Sequence, residues 1–416
     1  MKRNSKQVLL AISFTLIIFI GIVPSQALAY KYKKPDYWPD WDKWRESSPE
    51  KQNMDSEIIE DMYDFIDFSD VNIQSMMIIR NGYIINEEYL NNSERMDQKS
   101  YYWPEADPWV DLREGRLHQV WSVTKSVVSL LTGIAIEMGL FDLDTKFFDV
   151  FPDRWDPVKY NDIKYGDAKR HITVENLLVQ NVGIDWIEGD PDPLHPEIPS
   201  WMVWALVYNF NLDYYLTAPL AYPPGTNFPF DMFTYSSGNQ EMLSVMIANR
   251  SGMTMGDFAR KYLFKPLKIR DSEWDWWESP SEYGTGDLAI KQSGGFGLFM
   301  TPRAMAHIGL MCLNEGKWRG RQVVPQDWIS ESTSVQIDPA GHWLDLNYGY
   351  LWWITPTEYY PIKYYQAIGA FGQSIIVIPE YDIVVVITSN EFVKTYLYGT
   401  PNNYIIEKYI FGAVLA

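Results

Sequence analysis

The hydrophobic positions of this chain follow a strand period near both ends and a helix period between them. Helical spacing runs over 56–68, and two strand-like runs follow at Ile73–Arg80 and Tyr83–Tyr89. The dipeptide Asn81-Gly82 separates these runs. A tight two-residue hairpin turn needs positive φ at both central positions, which Asn and Gly tolerate. The pattern therefore predicts a helix followed by a β-hairpin.

The middle of the chain is patterned mostly as helices. Thr173 is placed to cap a helix that ends at Leu178, and Thr254 with Asp257 resembles a capping box before the periodic run 258–264. Clusters of Pro and Gly, at 223–226 and 294–297, are interpreted as breaks between elements. Strand patterns return at 348–355, 374–378 and 383–388, and a final helical pattern over 403–411 closes the chain.

Strands near both chain ends with helices between them predict an α+β fold. We expect an antiparallel sheet domain, flanked by helices, from 54–130 and 300–416, with an all-helical domain inserted at 131–299. Two segments precede these domains. Residues 1–29 are predicted to be a signal peptide, and 30–53 an extended lead-in.

One predicted helix, over 121–136, carries chemistry at its entrance. Ser122 and Lys125 lie three residues apart, which puts both side chains on one helix face. The helix is apolar nearly all round, as in a core. A lysine there loses hydration, which favours its neutral, basic form, and a neutral amine beside a hydroxyl is what a nucleophilic serine needs. The alternative is a helix cap followed by a solvated lysine, and Ser48 with Lys51 shows the same spacing in a polar stretch.

The N-terminal segment resembles an export signal. Three basic residues precede an uncharged apolar run over 8–23, and Ala27-Leu28-Ala29 is a small-x-small cleavage site. We therefore expect an extracytoplasmic protein, with an uncleaved membrane anchor as the alternative. Residues 1–29 hold three basic residues and no acid, so cleavage takes the formal charge from -19 to -22. Such an acidic chain is a poor nucleic-acid binder.

Cysteine and histidine usage limits the possible sites. The single cysteine, Cys312, excludes an internal disulfide, so an exported chain of 416 residues must rely on its core. The five histidines are scattered and show no metal-ligand spacing. We therefore predict no metal and no cofactor.

Two further polar clusters follow the Ser-x-x-Lys pair, Tyr235-Ser236-Ser237-Gly238-Asn239 and Ala367-Ile368-Gly369-Ala370-Phe371-Gly372-Gln373. In order and rough spacing the three clusters resemble the serine β-lactamase-like hydrolases, a group that holds class C β-lactamases, DD-peptidases, esterases and 6-aminohexanoate-dimer hydrolases. The resemblance covers about 73–390. Family-like connecting sequence supports it at 173–178, 224–226, 264–267, 301–306 and 316–320.

The resemblance implies a role for each matching residue. Ser122 would attack a carbonyl group, Lys125 would help to take the proton, and Tyr235 would share the proton transfer and protonate the leaving group. The oxyanion hole would consist of the backbone N–H groups of Ser122 and Ala370. A second Tyr-x-Asn sequence begins at Tyr89, but it falls at the end of a predicted strand and is interpreted as surface sheet.

The chain departs from the family pattern in its substrate-binding positions. Ser237 stands where asparagine is usual, and Ala367-Ile368-Gly369 stands where Lys-Thr-Gly or its histidine variant is usual. The missing cation would meet the carboxylate of a penicillin or a D-Ala-D-Ala peptide. In this third motif the chain is closest to the 6-aminohexanoate-dimer hydrolase and esterase members. A Ser-Asp-Asn triplet, as in class A β-lactamases, is not found at the corresponding place.

From these residues we predict an exported serine hydrolase that cleaves a small ester, amide or peptide through an acyl-enzyme on Ser122. One alternative is a penicillin-interacting DD-peptidase or β-lactamase. Another, of a different class, is a non-catalytic homologue that binds cell-wall peptides or acts as a sensor. Contact with a membrane is expected only if the N-terminal segment stays uncleaved. The oligomeric state and the physiological substrate are left open.

Overall fold

A computed structural model describes residues 38–39, 43–69, 71–90, 117–161, 164–185, 212–226, 232–278, 292–339, 344, 346–356, 362–389 and 401–415. The predicted signal peptide, 1–29, lies outside the described residues. None of the helices in the ranges just given is long and apolar enough to cross a membrane.

The described α-helices are α1 (Ser56–Ser69), α2 (Val123–Glu137), α3 (Phe147–Val150), α4 (Pro157–Asn161), α5 (Val174–Leu178), α6 (Leu212–Thr217), α7 (Ser237–Ser251), α8 (Met255–Ala259), α9 (Pro302–Leu313), α10 (Gln326–Ser332), α11 (Pro401–Ile405) and α12 (Phe411–Ala413). A π-helical turn, Ile406–Ile410, joins the last two into one helical stretch. The helices predicted at 56–68, 121–136 and 403–411 are therefore confirmed.

The described strands are β1 (Ile73–Arg80), β2 (Tyr83–Tyr89), β3 (His118–Gln119), β4 (Trp274–Trp276), β5 (Leu298–Met300), β6 (Lys317–Trp318), β7 (Arg321–Gln322), β8 (Asn347–Tyr348), β9 (Trp353–Ile354), β10 (Tyr365–Gly369), β11 (Gln373–Ile378) and β12 (Ile383–Ser389). Seven of them form an antiparallel sheet in the order β2-β1-β12-β11-β10-β9-β8. β1, the first strand along the chain, pairs with β12, the last one, so the sheet is built from both chain ends as predicted.

The predicted hairpin is confirmed at its exact bounds. Asn81 and Gly82 have φ of 53° and 80°, the left-handed geometry that this turn requires. β1 then pairs with β12, in the register Ile79 to Val384. The hairpin thereby brings the first strands of the chain against the last one.

Each face of the sheet packs against helices. Alternate strand residues point to opposite faces, so Met76 and Ile78 pack with α1 and the C-terminal helical stretch, whereas Met77 and Ile79 pack with α2 and α9. The core on the α2 side continues into the helices between 141 and 269. The described residues form one compact unit within 32–416. The division at 130/131 and 299/300 stays a prediction.

The strand prediction at 348–355 is wrong. Two short strands, β8 and β9, pair with each other around a tight turn in which Leu351 has a φ of 64° and the Gly349 N–H bonds to the Trp352 carbonyl at 2.8 Å. The β-propensity of the aromatic run hid this turn, since Gly349 is its only turn-favouring residue. The sequence pattern also missed β10, which separates β9 from β11 in the sheet.

Candidate active site

Helix α2 presents the serine and lysine of the first cluster. Ser122 is its N-cap residue but makes no side-chain capping hydrogen bond, and the hydroxyl is half-buried rather than hidden. Lys125 is 1 % exposed, because residues 123–135 are all buried. The alternative of a helix cap followed by a solvated lysine therefore does not fit. By contrast, Ser48 and Lys51 are exposed around a 3-10 turn.

The Lys125 amine is held by three oxygen atoms. Its Nζ lies 3.0 Å from Ser122 Oγ, 3.0 Å from Ser237 Oγ and 2.9 Å from the Gly295 carbonyl oxygen. Burying a charge is costly unless hydrogen-bond partners replace water, and three partners are what an ammonium can satisfy. The amine is therefore positioned to exchange a proton with the Ser122 hydroxyl and stays solvated by the protein when it carries the charge.

The second cluster lies at the start of helix α7. Its Ser236 side chain caps the helix by accepting from the Gly238 N–H at 3.1 Å, and it donates to the Tyr215 hydroxyl at 3.0 Å. Tyr235, the residue before this cap, is half-buried with its ring centroid 4.9 Å from Lys125 Nζ. The cap thus holds its two sequence neighbours, Tyr235 and Ser237, next to the amine.

An aromatic wall stands beside Tyr235. Its ring lies 5.8 Å from that of Trp353 and 6.4 Å from that of Tyr348, which in turn meets Trp353 edge-on at 4.6 Å. Burial, and the neighbouring Tyr235 to a smaller extent, raise the pKa of Tyr348 well above its usual value. Tyr348 is therefore a neutral packing ring.

The third cluster approaches α2 through Gly369. A Cβ atom at this position would lie 2.2 Å from the Val120 carbonyl oxygen and 3.2 Å from the Trp121 Cβ, so only glycine lets β10 come this close. The approach places Ala370, the first residue of a 3-10 turn, beside the segment that precedes Ser122. The first N–H of a helical turn has no partner within that turn, and the Ser122 N–H bonds to no acceptor in the described part of the chain.

Two aromatic residues with left-handed backbone geometry are the direct sequence neighbours of Ser122 and Ala370. Trp121 precedes Ser122 with a φ of 48°, and Phe371 follows Ala370 with a φ of 62°. Their ring centroids are 5.1 Å apart, and Phe296 completes the cluster. A non-glycine residue in this region costs about 1–3 kcal/mol, so the surrounding packing must hold both residues there.

The predicted substrate-binding side chains are largely enclosed. Ser237 is 4 % exposed, Ile368 is 8 % exposed, and Ala367 has no exposed surface. Ala367 packs in the main core on the α2 side of the sheet. The structure thus brings the three clusters together, with Ser122 and Ala370 accessible and Ala367 buried in the core.

The Gly-rich run at 294–297 forms the predicted break, a turn that precedes β5, and its Gly295 carbonyl is also part of the site. Gly294 and Gly295 pack tightly on α7: an added Cβ would meet Ser244 Oγ at 1.9 Å and Ser237 Cβ at 2.7 Å respectively. The Gly294-Gly295 pair was the sequence feature that could have indicated this close packing. Glu241, which accepts hydrogen bonds from this turn, was not predicted; the available cue was an acidic side chain that is the only charged residue between 237 and 249.

Candidate metal ligands do not cluster in the part of the chain that the structure describes, where groups of three His, Cys, Asp or Glu side chains suited to an ion are absent. Burial lowers the pKa of His118 to about 4, so this histidine near the site is a neutral ring.

Comparison with known proteins gives one family and several related folds. The family profile described as Beta-lactamase matches residues 75–403. A putative 6-aminohexanoate-dimer hydrolase from Bacillus anthracis superposes with a TM-score of 0.61 at 17% identity, covering 84% of this chain and 81% of that one. The hydrolase EstCE1, described as having promiscuous acyltransferase activity, superposes with a TM-score of 0.63 at 15% identity, covering 87% of this chain and 99% of that one. A class C beta-lactamase mutant superposes with a TM-score of 0.56 at 15% identity, covering 86% of this chain and 97% of that one. The predicted fold is confirmed.

The left-handed backbone at Phe371 yields a stability test. Phe371→Ala removes the ring and leaves a Cβ at positive φ, whereas Phe371→Gly removes the ring and the backbone penalty together. We expect Phe371→Gly to be more stable than Phe371→Ala by about 1 kcal/mol, although glycine usually destabilises folded chains. Urea unfolding of both variants measures the difference. An Ala variant more stable than the Gly variant would contradict the geometry described for this residue.

Proposed function

The chain belongs to the Beta-lactamase family, and we propose that it is an exported serine hydrolase that cleaves an ester or amide bond through an acyl-enzyme on Ser122. The observation that carries the proposal is the contact of the buried Lys125 amine with Ser122 Oγ at 3.0 Å. A nucleophile within hydrogen-bond reach of a base, which other groups orient in turn, is the arrangement that activates a serine.

The proposed reaction starts with attack by Ser122 Oγ on the substrate carbonyl carbon as its proton moves to Lys125. The negative charge that develops on the carbonyl oxygen meets the N–H groups of Ser122 and Ala370, and each such donor typically contributes about 3 kcal/mol. Tyr235 then protonates the leaving alcohol or amine as the tetrahedral intermediate collapses, and Lys125 passes the proton that it took from Ser122 on to Tyr235. Water, activated by the same groups, releases the acid and restores Ser122.

The choice between two serines rests on exposure and backbone position. Ser122 Oγ and Ser237 Oγ both lie 3.0 Å from Lys125 Nζ. Ser122 is half-buried and adjoins the proposed oxyanion hole, whereas Ser237 is 4 % exposed within the first turn of α7. We therefore assign attack to Ser122 and orientation of the amine to Ser237.

The proposed substrates are small neutral esters or amides. Ala367 supplies no charge at the position where the family usually has a cation, and it is enclosed in the core. The acyltransferase activity in the description of EstCE1 is chemistry that an acyl-enzyme performs, and it supports the proposed acyl-enzyme by analogy of fold. Export is proposed from the N-terminal sequence, with cleavage after Ala29 and a mature chain that begins at Tyr30.

The matched serines give a direct test of the nucleophile. Ser122→Ala should lower kcat for p-nitrophenyl butyrate by about 10⁴-fold or more, as expected when a nucleophile is removed. Ser237→Ala should cost only about ten- to a hundredfold, since it removes one hydrogen bond to the amine. Steady-state kinetics of both purified variants measure this. A Ser122→Ala enzyme that keeps turnover while Ser237→Ala loses it would reverse the assignment.

Substrate preference tests the reasoning from Ala367. Without a charge-assisted hydrogen bond, worth about 1.5–3 kcal/mol, the enzyme should lose roughly ten- to a hundredfold in selectivity for carboxylate-bearing substrates. We expect kcat/KM for p-nitrophenyl butyrate to exceed that for nitrocefin in the wild-type protein. A strong preference for nitrocefin would show that another group binds the carboxylate, and would favour the β-lactamase alternative.

A further inference from the structure

A fully buried carboxylate, that of Glu241, is linked to the Lys125 amine through a single residue, Gly295. Glu241 has no exposed surface, and its Oε atoms accept from the Ser293 hydroxyl and from the backbone N–H groups of Gly294 at 3.0 Å and Gly295 at 3.3 Å. The carbonyl oxygen of that same Gly295 accepts from Lys125 Nζ at 2.9 Å. The carboxylate and the amine therefore hold one turn, 293–295, from two sides.

Helix α7 reaches the amine in two ways. Ser237 and Glu241 are four residues apart, so their side chains share one face of the helix. Ser237 touches Lys125 Nζ directly, whereas Glu241 acts through the turn. Because one helix carries both side chains, the positions of Ser237 and Glu241 relative to each other are fixed.

The charge of Glu241 is tied to that of Lys125. Burial raises the pKa of Glu241 to about 7, while the three donors of the turn and the positive charge of Lys125 oppose that shift. Lys125 is the one charged group that acts on it in the described part of the chain. The titratable side chains described on the other helices packed against α7 do not contribute: Asp149 on α3, Glu175 on α5, Tyr215 on α6 and Asp257 on α8.

We propose that Glu241 is a positioning residue for the base: it holds the Gly295 carbonyl against Lys125 and stabilises the ammonium that forms when Lys125 takes the Ser122 proton. This inference rests on the proposed function, since it assumes that Lys125 is the base. The proton passes from Ser122 Oγ to Lys125 Nζ, and Glu241 takes up no proton in the step.

The charge makes the proposal testable through a pH profile. Glu241→Gln keeps the size of the side chain and removes its charge, so the ammonium form of Lys125 loses a stabilising partner. Lys125 then becomes neutral at lower pH, and the acidic limb of kcat/KM should move to lower pH by about one unit. The plateau should fall by roughly tenfold or more, because the amine becomes a weaker and less well-placed base.

Ser293→Ala is the matched control, since it removes one neutral hydrogen bond from the same carboxylate and keeps the charge. Its acidic limb should stay close to the wild-type position. Both profiles are measured with p-nitrophenyl butyrate on proteins whose thermal unfolding has been checked. An unmoved limb in Glu241→Gln, or an equal movement in both variants, would overturn the proposal, because a purely structural residue lowers stability without shifting the limb.

Glu241→Asp decides the matter if the Gln variant does not fold. The shorter side chain keeps the charge but withdraws it from the turn, so kcat per folded enzyme should fall by about tenfold with KM little changed. A lower unfolding temperature with wild-type kcat would overturn the proposal. The Ser122→Ala variant distinguishes a failure of the proposed function from a failure of this inference. If Ser122→Ala stays active, the proposed function is wrong. If Ser122→Ala is inactive and the Glu241 variants behave as wild type, only the inference about Glu241 is wrong.

Discussion

The burial of one lysine amine is the constraint on which the site depends. Lys125 loses nearly all contact with water, and three oxygen atoms from three segments replace it: the helix start at Ser122, helix α7 at Ser237 and the turn at Gly295. Each segment must keep its position, because an ammonium without partners in a core is strongly unfavourable. The proposed proton acceptor is thus also the group that joins the two helices and the turn.

The approach of the sheet to this centre is a second, steric constraint. β10 can reach the segment before Ser122 only because Gly369 has no Cβ. The rings of Trp121 and Phe371 then pack against each other across this contact. Left-handed backbone at both aromatic residues costs energy that ring packing must offset. Strain of this kind occurs at functional sites, and here it lies beside Ser122 and Ala370, whose N–H groups form the proposed oxyanion hole.

Local patterns predicted much of the fold and of the site. The hairpin at Asn81-Gly82 and helix α2 depend on short-range rules, and the order of the three clusters identified the residues that the fold brings together. The turn between β8 and β9, strand β10 and the role of Glu241 depend on tertiary contacts instead. A buried acid at the back of a Gly-Gly turn has no periodic signature, since its partners are backbone groups more than fifty residues away in sequence.

The central claim is that Ser122 is the nucleophile activated by Lys125, and the most direct measurement is the location of a covalent adduct. The wild-type protein is treated with a fluorophosphonate, digested, and sequenced by tandem mass spectrometry. We expect one phosphonyl group per chain, carried by Ser122, since among the hydroxyl groups that the structure describes it alone combines access with contact to the amine. An adduct on Ser237, or a protein that stays unmodified, would contradict it.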